Sequence, residues 1–157
     1  MGRHGEKAAM HTTMTQQALP SLSVPSAALE AGAVSGAPLT LLRLEGAAVV
    51  AAATLAYSTM GGRWGIFALL FLLPDLSMVG YLAGRRVGAT CYNAAHSYLG
   101  PALLAGLGAA SNAHGVLCVA AIWAAHVGFD RLLGYGLKYG TSFGDTHLGR
   151  RGGGQPR

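Results

Sequence analysis

Four long apolar segments dominate the sequence, and short polar or glycine-containing connections separate them. They cover roughly residues 38–60, 63–84, 87–109 and 115–138. At about 1.5 Å per residue, an α-helix of this length crosses the hydrocarbon layer of a bilayer, which is about 30 Å thick. Because the connections are so short, consecutive helices must run antiparallel. The pattern therefore predicts an all-α fold, an integral membrane up-down four-helix bundle.

The two ends of the chain lack this pattern. Residues 1–37 mix Ser, Thr, Gln, Pro and Ala without periodicity, which predicts a flexible N-terminal tail. They contain no apolar run long enough for the core of a signal peptide. Residues 140–157 predict a cytoplasmic polar loop followed by a basic tail.

Charged residues are scarce and unevenly placed. They make up 11% of the 157 residues, whereas a soluble domain has about 25%. With four spans, nearly all Lys and Arg residues fall on the side of the two termini, and the opposite side has only Arg63. The positive-inside rule then predicts an inner-membrane protein with both termini in the cytoplasm and the lipid bilayer as its partner. No nucleic-acid partner is expected, because the basic residues flank the spans and form no single stripe.

Polar side chains inside the spans are the candidate functional residues, because such groups are costly in a bilayer and normally have a partner. The helical rise places them at a similar depth on four different helices, in the midplane and cytoplasmic half of the bilayer. Desolvation on four helices at once favours a functional cavity over a purely structural layer. The set consists of Glu45, Asp75, Asn93, His96, His126 and Asp130, with Arg131 beside it.

Local spacing supports one shared site. His126 and Asp130 are i,i+4 neighbours on one helix face, and so are Tyr92 and His96. Pro74 removes a helical hydrogen bond, so we expect it to bend the second span next to the acid that follows it. A kink beside an acid opens room for a small polar cavity.

The chemistry of these groups predicts a metal-dependent hydrolase at the cytoplasmic membrane face as a first hypothesis. Imidazole nitrogens and carboxylate oxygens bind divalent metals such as zinc, and one carboxylate would activate water. The expected metal ligands are His96, His126, Asp130 and Asp75. Of these, Asp75, His126 and Asp130 are the candidate catalytic residues, and the candidate binding residues are Glu45, Asn93, His96 and Arg131.

The same groups are equally suited to relaying protons or holding a transported ligand. The alternative is therefore a small non-enzymatic transporter, proton-relay protein or membrane assembly factor. Four helices are few for a monomeric transporter, so this alternative requires a homo-oligomer or a partner. A third interpretation is purely structural: Asp130 orients His126, Arg131 reaches the cytoplasmic surface, and Arg43 and Glu45 neutralise each other.

The loop after the last span leaves one question open. It carries Asp145 and His147, together with Phe143 and Leu148, which can anchor it against the bundle. If it folds over the mouth of the cavity, the acid and the histidine complete a ligand set. A solvated loop is the alternative, and the sequence favours neither.

Several short motifs in these regions together resemble one protein family. They are Arg43-Leu44-Glu45-Gly46, Pro74-Asp75-Leu76-Ser77-Met78, Tyr92-Asn93 with His96, Ala125-His126 with Gly128-Phe129-Asp130-Arg131, Gly134-Tyr135-Gly136-Leu137-Lys138-Tyr139, and Thr146-His147-Leu148-Gly149. Over about residues 40–149 the chain resembles the bacterial membrane-protein family catalogued as domain of unknown function 4260. The resemblance implies a membrane location and a helix count, but no reaction.

A looser similarity is to membrane-bound metal-dependent hydrolases. These enzymes combine a Pro-Asp helix end, an internal histidine element and a later His-xxx-Asp, and Asp75, His96, His126 and Asp130 occur here in that order. They also carry a further acid and histidine after the Pro-Asp, where this chain has Leu76-Ser77-Met78. The similarity implies metal ligation by analogy alone.

Overall fold

The structure is a computed structural model that describes residues 33–150. The predictions for the N-terminal tail up to residue 32 and for residues 151–157 lie outside the described part. The helices are α1 (Gly36–Thr59), α2 (Trp64–Phe71), a 3-10 helix (Leu73–Ala83), α3 (Arg85–Ala95), α4 (Leu99–Ala110) and α5 (His114–Leu133). A small antiparallel hairpin follows, made of β1 (Asp145–Thr146) and β2 (Gly149–Arg150).

These helices form four segments, which confirms the predicted all-α four-helix bundle. α1 and α4 both pack against α5, and the 3-10 helix packs against α3. Within residues 33–150, three segments are long and apolar enough to cross a membrane, namely Gly36–Thr59, Trp64–Ala83 and His114–Leu133. Their outer surfaces carry large apolar side chains, so the apolar residues of this bundle do not all face a common core.

The second segment changes its helix type at Pro74. α2 ends at Phe71, and the 3-10 helix that begins at Leu73 has Asp75 in its first turn. Proline has no N–H to donate, and its ring crowds the carbonyl of the residue four positions earlier, here Leu70. The predicted interruption beside Asp75 therefore takes the form of a switch from α to 3-10 geometry.

The third segment is not the continuous helix over 87–109 that the apolar pattern predicted. α3 ends at Ala95 and α4 begins at Leu99, so His96 lies at a helix end. An unbroken helix would press the ring of Pro101 against the carbonyl of Ser97, four residues earlier. The indole Nε1 of Trp123 donates to the carbonyl oxygen of Ala95 at 2.6 Å, which satisfies a carbonyl at the end of α3.

The last segment also ends earlier than residue 138. Gly134 adopts a left-handed conformation (φ 86°) directly after α5, a common way for a helix to end. The chain then folds back on itself: Lys138 bridges to Thr146, and the N–H of His147 donates to the carbonyl of Leu137 at 3.1 Å. Residues 135–150 thus form an ordered cap beside the end of the bundle.

Candidate metal centre

Both helix interruptions lie at one cluster of side chains. Asp75 comes from the first turn of the 3-10 helix, His96 from the end of α3 and His126 from the middle of α5. Their potential ligand atoms all lie within 4.8 Å of one another. The two histidines are buried, whereas the side chain of Asp75 is 36% exposed. Together they could hold a metal ion, and for this reason we call these three residues the metal centre.

The orientation of His96 is fixed by its own helix. Its Nδ1 lies 2.9 Å from the carbonyl oxygen of Tyr92, one turn earlier, and the two rings stack with their centroids 3.7 Å apart. A carbonyl can only accept a hydrogen bond, so Nδ1 carries the hydrogen. In the neutral ring, Nε2 then has a free lone pair. This is the arrangement that metal-binding histidines adopt, with the other ring nitrogen donating to a carbonyl.

Three polar atoms surround the Nε2 of His96. Asp75 Oδ1 lies at 3.3 Å, Asp130 Oδ2 at 3.5 Å and His126 Nε2 at 3.1 Å. Ionised carboxylates are acceptors only. A bound cation, a shared proton or a hydrogen on His126 Nε2 would each satisfy the lone pair of His96.

His126 is held less tightly than His96. Its ring packs edge-on against Phe71, with centroids 5.2 Å apart, and its Nε2 lies 3.6 Å from Asp75 Oδ1. Its Nδ1 is buried and has no hydrogen-bond partner among residues 33–150. Packing against Phe71 therefore orients the imidazole ring of His126, because Nδ1 has no hydrogen bond that could do so.

Asp130 lies at the edge of the metal centre. It is one helical turn from His126, and its Oδ2 accepts a hydrogen bond of 3.1 Å from the hydroxyl of Tyr92. Tyr92 therefore contacts His96 through its carbonyl and Asp130 through its hydroxyl. This places Asp130 beside the three grouped ligand atoms, held in position by Tyr92.

Arg131 is buried and does not extend to the surface. Its Nη2 donates to the carbonyl of His96 at 2.8 Å, and its Nη1 donates to the carbonyl of Tyr135 at 2.6 Å. It therefore supports the helix end that carries His96, and it joins that end to the C-terminal cap.

Asn93 lies outside the metal centre and holds the cap. Its Nδ2 donates to the carbonyl of Lys138 at 2.9 Å, and its Oδ1 accepts from the N–H of the same residue at 2.7 Å. The buried Lys138 places its Nζ 3.2 Å from the ring centroid of Phe143 and 4.5 Å from that of Tyr92. Burial lowers the pKa of Lys138, and the carboxylate of Asp130 acts in the opposite direction. The burial of Lys138 was not predictable from its position at the end of an apolar segment.

Neither Asp145 nor His147 joins the metal centre. Asp145 accepts a hydrogen bond of 2.8 Å from the hydroxyl of Thr141 and lies 3.4 Å from Nε of Arg150. His147 accepts a hydrogen bond of 2.8 Å at Nδ1 from the N–H of Leu137. Burial lowers the pKa of His147, and the positive charge of Arg131 lowers it further. The loop is thus folded against the bundle, but its acid and histidine stabilise the loop itself.

Glu45 is also separate from the metal centre. It is exposed, and it lines a cavity on the α1 side of the bundle together with His147. It forms no pair with Arg43, whose Nε instead donates to the carbonyl of Leu132 at 2.8 Å. Residues two positions apart on a helix do not face each other, which explains why this expected pair is absent.

Comparison with known proteins gives a family but no activity. No curated protein and no solved structure matches the chain significantly. A family model described as "Domain of unknown function (DUF4260)" matches residues 39–150, a range that contains every residue of the metal centre. Because this range is most of the 157 residues, the chain belongs to the DUF4260 family.

Proposed function

We propose that this chain is an inner-membrane protein that crosses the bilayer four times, with both termini in the cytoplasm. The three long apolar helices support this proposal, and so do outer side chains such as Leu69 and Leu82, which are 76% and 89% exposed. In this arrangement α3 and α4 together make the third crossing. Reporter fusions at the two termini test the topology, and reporters on opposite faces would contradict it.

Within that membrane protein, the function best supported is divalent-metal-dependent hydrolysis. The observation that carries this proposal is the grouping of Asp75, His96 and His126, whose potential ligand atoms lie within 4.8 Å of one another. Catalytic zinc sites typically use three protein ligands and keep the fourth position for water, whose pKa falls to about 7. Two histidines and one carboxylate at the metal centre match this requirement.

The surroundings of the centre fit a hydrolytic role. Asp130 lies beside the ligand group, and the Tyr92 hydroxyl holds it, so its carboxylate is suited to take a proton from an attacking water. The side chain of Asp75 is 36% exposed, so protein does not fully enclose the centre. A structural zinc site uses protein ligands at all four coordination positions, whereas a catalytic site keeps one position for water.

Metal analysis of the full chain tests the proposal. The protein is purified in detergent, its zinc and manganese contents are measured, and the metal-free form is titrated with Zn²⁺ and Mn²⁺. We expect one equivalent of metal in the wild type and at least 100-fold weaker binding in His126→Gln. The matched control is His114→Gln, because this histidine is exposed at the start of the same helix.

The outcomes of this titration are distinct. A folded His126→Gln protein that binds metal as tightly as the wild type would rule out the metal centre. Circular dichroism and gel filtration establish that the variant is folded. If metal binds as expected, hydrolysis is tested with ester and phosphoester model substrates at saturating Zn²⁺, and loss of turnover in Asp130→Asn while metal remains bound identifies Asp130 as the base.

A second candidate function is proton relay, and one distance favours it. The Nε2 atoms of His96 and His126 are 3.1 Å apart, which is within the range of a hydrogen bond that shares one proton. This alternative requires no metal. A wild type that remains folded and binds neither Zn²⁺ nor Mn²⁺, but moves protons into vesicles when reconstituted, would support it.

A further inference from the structure

An apolar cavity of about 230 Å³ lies between the second segment and α5. Six side chains line it, namely Leu70, Leu73, Pro74, Val119, Ile122 and Trp123. Leu73 and Val119 are themselves exposed, so the cavity opens on the outer surface of the bundle. Cavities that enclose a whole drug-sized ligand measure about 300–1,000 Å³. This cavity is smaller and therefore suits one apolar group of a larger molecule.

The cavity lies next to the metal centre. The proline in its wall is followed directly by Asp75, and Ile122 lies one helical turn before His126. The indole of Trp123 donates a hydrogen bond to the carbonyl of the residue before His96. Each metal-centre residue therefore has a close neighbour in the wall of the cavity.

The proposed topology gives the depth of this cavity. The second segment and α5 both run towards the cytoplasm, and the lining residues 70–74 and 119–123 precede Asp75 and His126 in these segments. From Val119 to His126 the helix rises about 10 Å. The cavity therefore lies within the hydrocarbon layer, on the side of the metal centre away from the cytoplasm.

The C-terminal cap covers the opposite side of the metal centre. Asn93 of α3 forms two hydrogen bonds with Lys138 of the cap. The ring of Phe143 in the cap packs edge-on against that of Tyr81 in the 3-10 helix, with centroids 5.1 Å apart. Arg131, near the end of α5, donates to the carbonyl of the first cap residue. These contacts connect the cap to three of the four segments, so the cap closes the cytoplasmic end of the bundle.

The side of the metal centre at Asp75 faces outwards. This side chain is 36% exposed, and the neighbouring Leu72 and Leu76 are exposed as well. In the proposed membrane location, these side chains face the acyl chains of the bilayer. A molecule dissolved in the bilayer can therefore approach the metal centre laterally, without passing the cap.

From these features we propose that the substrate of the metal centre is an uncharged carboxylic ester dissolved in the bilayer, and that its acyl chain occupies the apolar cavity. This proposal rests on the hydrolysis proposed above and names its substrate class. A phosphoester fits a lateral approach poorly, because its charge would have to enter the hydrocarbon layer.

Hydrolysis of such an ester consumes one water molecule. The water oxygen adds to the carbonyl carbon, and Asp130 takes one of the water protons. The bond between the carbonyl carbon and the alcohol oxygen then breaks, and the proton passes from Asp130 to that oxygen. The products are a carboxylic acid and an alcohol, so no oxidant or reductant is needed.

Ester hydrolysis by the zinc-loaded full chain in detergent tests the proposal. The substrates are para-nitrophenyl acetate, para-nitrophenyl octanoate and para-nitrophenyl phosphate, which share one leaving group. We expect kcat/KM to be at least tenfold higher for the octanoate than for the acetate, and lowest for the phosphate. Val119→Phe fills the cavity, so it should remove the preference for the octanoate and retain both zinc binding and hydrolysis of the acetate. Val79→Phe is the matched control, because Val79 is exposed on the 3-10 helix and does not line the cavity.

A measurement without metal examines the cavity alone. The chain has two tryptophans, so Trp123 is the only one left in Trp64→Phe. Bromooctane should quench the fluorescence of Trp123 in a saturable manner, and Val119→Phe in the same background should abolish the saturable part. Non-saturable quenching in a chain that binds zinc would overturn the role of the cavity alone. Saturable quenching in a chain that binds no zinc would instead contradict the proposed hydrolysis, and with it the substrate.

The kinetic outcomes are equally distinct. Equal kcat/KM values for the acetate and the octanoate in the wild type would overturn the proposal, whether or not any variant folds. Faster hydrolysis of the phosphate than of the octanoate would also overturn it. So would a Val119→Phe protein that binds zinc and keeps the wild-type preference, with its folding established by circular dichroism.

Discussion

Gly46 of α1 and Gly128 of α5 bring the backbones of their helices into direct contact. A Cβ atom built on Gly46 would lie 2.7 Å from the carbonyl oxygen of Gly128, and one built on Gly128 would lie 2.9 Å from the carbonyl oxygen of Gly46. Each glycine therefore meets backbone, which cannot move aside as a flexible side chain can. Small residues at such crossings are how helices pack closely where lipid provides no hydrophobic drive. This crossing lies two residues from His126 and so fixes the position of α5.

Gly46→Ala should therefore destabilise the bundle. The added methyl group forces α1 and α5 apart, and overpacking of this kind costs about 1–3 kcal/mol. Thermal unfolding in detergent measures the loss. Gly106→Ala is the control, because a Cβ at that position of α4 meets nothing within 4 Å. If both variants unfold at the same temperature as the wild type, the close crossing does not determine stability.

The helices and most of the metal centre were predictable from local sequence signals. Apolar length alone predicts the segments, and the i,i+4 spacing of His126 and Asp130 correctly indicated a common face. Pro74 marked the change of helix type beside Asp75. Pro101 likewise indicates the helix interruption near His96. The apolar composition of residues 87–109 nevertheless favours one continuous span.

The partners across the bundle were not predictable, because depth along a helix does not determine the direction of a side chain. Glu45 and Asn93 lie at depths similar to that of His96, yet one faces a separate cavity and the other binds the cap. The apolar pattern predicts Lys138 at the end of a helix. Its burial depends on Phe143 and Tyr92, and folding of the cap brings them together.

Tyr92→Phe should weaken metal binding about tenfold without preventing folding. The change removes the hydroxyl that donates to Asp130 Oδ2 and leaves the carbonyl that orients His96. Loss of a supporting hydrogen bond around a metal site typically costs 10- to 100-fold in affinity. Zinc titration of the metal-free proteins gives the ratio of the dissociation constants of the variant and the wild type. Tyr81→Phe is the control, since the buried hydroxyl of Tyr81 has no partner among the described residues. This variant should bind zinc with the affinity of the wild type.

Asn93→Leu should release the cap from the bundle. The leucine has a similar size but leaves both the N–H and the carbonyl of Lys138 without their side-chain partner, and each unsatisfied buried group costs about 1–3 kcal/mol. Hydrogen exchange should become faster in residues 137–147 and remain unchanged in α5. Thr90→Ala serves as the control, because it removes a hydrogen bond on the exposed side of the same helix. Equal protection of the cap in Asn93→Leu and the wild type would show that other contacts hold it.

Acid should destabilise the cap through His147. Its pKa in the folded protein is lowered from 6.5 by burial and by the positive charge of Arg131, so the unfolded state binds a proton more readily. Stability from the neutral ring is therefore fully present above pH 6.5 and is lost as the pH falls from 6.5 through the lower folded pKa. One such group changes the free energy of unfolding by at most about 1.4 kcal/mol per pH unit. Unfolding measured between pH 8 and pH 5 should show a shallower pH dependence in His147→Gln than in the wild type. His114→Gln should retain the wild-type slope, and identical slopes for all three proteins would exclude His147 as the source.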